Sequence, residues 1–115
     1  MEYISNAFSL SMLPHAVTEV NTWSASVGMV AAAVAGGAKS VVGHETTAQL
    51  FSNILGEKVE ANRTSVKLEF GDVLYVGQYT GPRLQEGATE LPEGAIIQWL
   101  MVEVNKNEHH DYEEE

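Results

Sequence analysis

The stretch VKLEFGDVLYVGQY, residues 66–79, decides the fold class. Val66, Leu68 and Phe70 alternate with Lys67 and Glu69, the period-two pattern of a half-buried strand. Val73 to Tyr79 is rich in valine and tyrosine and predicts a second strand. Gly71-Asp72 lies between them, so the pair reads as a β-hairpin. Thr80-Gly81-Pro82 breaks the second strand.

Upstream, GHETTAQLFSNILG, residues 43–56, predicts a helix. Leu50, Phe51, Ile54 and Leu55 form one apolar stripe at helical spacing. Thr46 and Gln49 have capping-box spacing, and Gly56 reads as the C-terminal stop. His44 therefore sits at, or just before, the helix start. A second helix is predicted over Ala25–Val34, capped by Ser24 and ended by Gly36-Gly37. Further strands are read over Glu2–Phe8, Ala16–Trp23 and Ile96–Val104. Asn105–Glu115 reads as an acidic tail for which mobility is expected. Helices and strands mix without regular βαβ alternation. The predicted class is α+β: one domain over residues 1–104, with a mixed sheet of about five strands and flanking helices.

A chain of 115 residues can bury one modest core. It has no cysteine, so disulfides and thiolate metal sites are ruled out. No secretory signal and no bilayer-spanning run is read, so a cytoplasmic protein without a membrane partner is expected. The formal charge of −10 argues against a surface that coats DNA or long RNA, because counterion release needs many cations. A small anion held at one local site remains compatible. The chain has two arginines, Arg63 and Arg83. They are either surface residues or the principal anion-binding groups, since arginine's fork suits phosphate.

His44 is the first candidate for chemistry. A lone histidine is commonly structural. A helix start, however, presents free N–H groups and a positive dipole end, which welcome an anion. A histidine beside such an anion can protonate an oxygen leaving group near neutral pH. Arg83 and Glu86, three apart in a loop after a strand, are either a surface ion pair or a phosphate clamp with an acceptor. Asn6, Ser9 and Ser11 follow the first strand, where capping and ligand contact are both open. Gly36-Gly37-Ala38-Lys39-Ser40 echoes a phosphate loop, but Ala38 stands where glycine is needed and no strand is read leading into it. His44-Glu45 lacks the second histidine of a zinc-protease motif. His109-His110-Asp111 in the tail is assigned no role, and no metal or cofactor is expected.

Four segments occur together in order: Asn6 to Leu13, Val42 to Leu50, Asn62-Arg63, and Gly81 to Gly87. Jointly they resemble the small viral and prokaryotic family that includes the viral ring nucleases, anti-CRISPR proteins acting against type III immunity. The resemblance spans most of residues 3 to 104 and is weakest over residues 14 to 40. At Ser11 the viral members carry asparagine. The resemblance implies a two-fold homodimer that binds cyclic tetra-adenylate and cleaves it without metal. It implies His44 as general acid, Arg83 and Glu86 completing the reacting site, and Asn6, Ser9, Ser11 and Arg63 holding the ring. Two other classes are weighed against it: a dimer that sequesters the cyclic nucleotide uncut, and a viral DNA-binding or protein-interaction module.

Overall fold

The computed structural model describes residues 1–16 and 18–107. Five strands form one mixed sheet: β1 (Glu2–Ser5), β2 (Thr18–Ser24), β3 (Lys39–Ser40), β4 (Val73–Thr80) and β5 (Ile96–Lys106), in the order β2-β5-β4-β1-β3. β1 runs parallel to both β3 and β4, whereas β4–β5 and β5–β2 are antiparallel. Two helices, α1 (Val27–Ala35) and α2 (Glu45–Leu55), complete the α+β fold, and Leu10–Met12 form a 3-10 turn.

The predicted hairpin is corrected. Residues 66–70 form no strand, and β4 pairs instead with β5 and β1. Both edges of β4 are thereby occupied, so no ladder is left for the preceding segment to join. Gly71-Asp72 still turns the chain: the Asp72 carboxylate accepts the Glu69 N–H at 2.8 Å, and Gly71 takes a positive φ of 93°. The alternation in 66–70 has another use. Val66 and Leu68 pack against one face of the sheet, and the Leu68 N–H donates to the Met12 carbonyl.

Other boundaries shift as well. Ser24 ends β2, and α1 is capped by Ser26, whose hydroxyl accepts the Met29 N–H at 3.1 Å. The opening strand stops at Ser5, and β5 continues through Asn105 and Lys106. Lys39–Ser40, read as no phosphate loop, is the short strand β3. The tail from residue 108 onward, including His109-His110-Asp111, lies outside the described residues.

The sheet has two differently covered faces. On one, Ile4, Tyr75 and Trp99 pack beneath Val30 and Ala33 of α1 and Ala48, Phe51 and Leu55 of α2. On the other, Leu74, Val76, Val102 and Val104 are covered by Phe8, Met12, Leu13, Val66 and Leu68, most of them outside helices and strands. Gly77 in β4 makes the first packing possible. A Cβ there would meet the rings of Phe51 and Trp99 at 2.6 Å each. Without it those rings pack with centroids 4.8 Å apart and tilted by 58°, a favourable aromatic arrangement.

Candidate functional site

Topology places six of the seven candidate residues in segments that follow the parallel strands. Because β1, β3 and β4 are parallel, their C-terminal ends point the same way. Asn6, Ser9 and Ser11 follow β1, His44 follows β3, and Arg83 and Glu86 follow β4. Arg63 joins them through a parallel bridge between Val42 and Ala61. The carboxyl ends of parallel strands are the usual ligand edge of open α/β sheets, because the loops there are free to diverge over a fixed scaffold.

Four of the seven line one open cavity of about 1140 Å³: His44, Arg63, Arg83 and Glu86. Gly43, Glu45, Thr46, Gln49, Leu84, Gln85 and Gly87 complete its walls. His44 is the N-cap of α2, with extended backbone angles (φ −132°, ψ 127°). Its side chain makes no capping hydrogen bond, so the imidazole is not consumed by the helix end and faces solvent. Thr46 is therefore the second residue of the helix and is not the cap, which removes the predicted capping box. The apolar stripe itself is present, with Leu50, Phe51 and Leu55 buried. That stripe fixes the helix against the core and so fixes where its N-terminus opens.

Each wall is held by identifiable bonds. The Asn62 N–H donates to the Val42 carbonyl at 2.7 Å, and its side-chain amide donates to the Ser40 carbonyl at 2.9 Å. These bonds lay residues 60–62 along β3 and its extension. Arg63 then lies against Gly43, whose missing Cβ would sit 3.7 Å from the Arg63 Cγ. The opposite wall is tied to α2. The Gly87 N–H donates to the Thr46 hydroxyl at 3.2 Å, and the Asn53 amide donates to the Thr89 carbonyl at 2.9 Å. Gly87 has φ +81°, a conformation that suits glycine. The Arg83–Glu86 segment is thus suspended between the end of β4 and the first turns of α2.

The other three candidates lie elsewhere. Asn6, Ser9 and Ser11 do not line the cavity. They belong to the segment that closes the second face of the sheet. Ser9 caps the 3-10 turn, accepting the Ser11 N–H at 3.3 Å, and the two hydroxyls are 3.0 Å apart. Sequence reading also missed Thr46 as the anchor of the Arg83 loop. Its signal was present, since a buried threonine in the first turn of a helix needs a partner for its hydroxyl.

Chemically, the cavity offers two guanidinium forks, a solvated imidazole at a helix N-terminus, and two carboxylates, Glu45 and Glu86. In a chain of net charge −10, the cavity brings together both arginines, whose forks suit phosphate, beside the carboxylates of Glu45 and Glu86. Among the described residues no helix is long and apolar enough to cross a membrane.

The model of the STIV B116-like family matches residues 2–101. Among solved structures, the B116 protein of Sulfolobus turreted icosahedral virus is similar with a TM-score of 0.75 and 23% identity. That match covers 89% of this chain and 97% of the viral one. At this identity it speaks to the fold. No curated protein matches the chain.

Proposed function

The chain belongs to the STIV B116-like family, and with that as premise we propose that it is a ring nuclease acting on cyclic tetra-adenylate. The observation that carries the reading is the meeting of His44 with both arginines of the chain in one cavity at a helix N-terminus. A ring of four phosphodiesters presents anionic groups to that site. Its ribose 2′-hydroxyls lie next to the bonds to be cut, so the substrate supplies its own nucleophile.

The step balances without a co-reactant. The 2′-oxygen forms a bond to phosphorus as its proton passes to solvent water. The bond from phosphorus to the 5′-oxygen breaks, and the departing oxygen takes a proton from His44. The products are linear adenylates ending in 2′,3′-cyclic phosphate. Arg83 stabilises charge on the phosphoryl oxygens, Arg63 holds a neighbouring phosphate, and Glu86 accepts a hydrogen bond from His44 or from the hydroxyl. In a two-fold dimer each such group is supplied twice, matching the symmetry of the ring. Asn6 and Ser9 then contact the ring from outside this cavity, with Ser11 in the place where related viral proteins carry asparagine. The outcome is destruction of the second messenger of type III CRISPR defence.

The test is incubation of excess cyclic tetra-adenylate with the protein in EDTA, followed by separation of products. Linear adenylates with cyclic phosphate ends are expected. Tight binding without products would identify a sequestering protein instead. Retardation of duplex DNA with no ring binding would move the protein to a different class.

A further inference from the structure

Among the described residues that line the cavity there is no Phe, Tyr or Trp. Stacking on an imidazole or a guanidinium plane does not distinguish one base from another, so base identity is read at the base's edge by polar side chains. Two amides stand in the walls, Gln49 and Gln85, and Gln49 is singled out by what holds it. The Asn53 amide nitrogen donates to the Thr89 carbonyl at 2.9 Å. A backbone carbonyl only accepts, so this bond fixes which end of the Asn53 amide is oxygen. That oxygen, Oδ1, points to the Gln49 Nε2 at 3.5 Å. Gln49 must therefore turn its nitrogen toward Asn53. The orientation of the Gln49 amide follows from a chain of donors and acceptors that ends on the backbone.

The remaining groups of Gln49 are one N–H and the Oε1 acceptor. Side by side, a donor and an acceptor match adenine, which offers N7 as acceptor and the N6 amino group as donor. They mismatch guanine or hypoxanthine, which offer two acceptors, O6 and N7, on the same edge. The placement also suits a nucleotide. Gln49 is exposed and lies five residues into the chain from His44, about 7.5 Å along the helix axis. A phosphate at the helix N-terminus thus leaves room for its sugar and base before Gln49 is reached.

We propose that Gln49, oriented by Asn53, is the adenine-selecting residue of this cavity. The inference rests on the ring-nuclease reading and adds base specificity to it. Gln49 contacts the base, and Asn53 is a positioning residue.

The test measures dissociation constants of cyclic tetra-adenylate and of its deaminated counterpart, cyclic tetra-inosinate. The native protein is compared with Gln49→Ala and Gln49→Met, the second keeping the side-chain length. The native protein is expected to prefer the adenine ring by about 5- to 100-fold, the usual range for one bidentate contact. Both variants are expected to bring that ratio close to one, mainly by weakening the adenine ring. Asn53→Ala is expected to lower the ratio without abolishing binding of either ring. A structural role for Gln49 would weaken both rings alike and leave the ratio unchanged, which overturns the proposal. A native protein that binds and cuts both rings equally also overturns it while leaving the ring-nuclease reading intact. A native protein that binds neither ring overturns both.

Discussion

The two faces of the sheet are closed by different kinds of chain. One is covered by α1 and α2, whose buried residues recur at helical spacing and meet the Phe51–Trp99 pair over Gly77. The other is covered by the segments around Phe8–Leu13 and Val66–Leu68, which have little regular structure. The difference concerns more than tidiness. The helical cover delivers the N-terminus of α2 to the cavity, with His44 at its mouth, while the irregular cover carries Asn6, Ser9 and Ser11 away from that cavity. A rigid element aims the reacting group, and a locally bonded loop supplies the residues assigned to holding the ligand.

The contrast is open to direct disturbance. The largest expected effect is Phe51→Ala, which removes the ring that fills the space over Gly77 and should cost about 3–5 kcal/mol of stability. Leu68→Ala is the matching deletion on the other face. It should fall near the low end of the roughly 2–5 kcal/mol range for such changes, because an irregular cover can settle into the void. Denaturant midpoints of the two variants read this directly. A Leu68→Ala cost as large as that of Phe51→Ala would show that both covers are equally rigid.

Thr46→Val tests the coupling of helix to site. It keeps the shape of a buried side chain but deprives the Gly87 N–H of its acceptor. A loss of about 1 kcal/mol is expected. It should appear as several-fold weaker ring binding with a small change in melting temperature. Unchanged binding would show that the Arg83 loop is held without Thr46.

The smallest effect is in the alkaline range, where each face holds one tyrosine with a raised pKa. Burial raises the pKa of Tyr75 on the helical face, helped by the Glu2 carboxylate. Burial also raises that of Tyr3 on the other face, with Asp72 and Glu69 adding to it. A raised folded-state value means that the fold prefers the neutral phenol. That stability is complete below the unfolded value of about 10 and is lost as pH rises through the folded value. Tyr3→Phe combined with Tyr75→Phe should flatten stability above about pH 10. A native protein equally stable on both sides of that pH would contradict the shifts.

These faces also explain what could be read in the sequence. Helix α2, both strands of the β4–β5 pair and the α+β class were legible, because periodicity of 3.6 or 2 survives wherever a regular element covers or forms the core. The segment 66–70 was misread for the same reason. Its alternation is real, but a loop packed on a sheet face alternates as a strand does, and only the occupied edges of β4 decide between them. The two-residue strand β3 was invisible, since no periodicity fits in two residues. It matters to the site because it directs the chain toward Gly43 and His44. The gathering of Arg63, Arg83, Glu86 and His44 was not derivable from spacing. It arises from parallel pairing of segments distant in sequence, and the family resemblance supplied what local pattern did not.

In the proposed reaction the exposed imidazole at the start of α2 delivers the proton to the departing 5′-oxygen. The most direct measurement compares native protein and His44→Ala for binding and single-turnover cleavage of cyclic tetra-adenylate, in EDTA. His44 makes no capping hydrogen bond, so the variant should fold and bind the ring. Its cleavage rate should fall by about 100-fold or more, the scale of one general acid. Equal cleavage by the two proteins would remove His44 from the reaction.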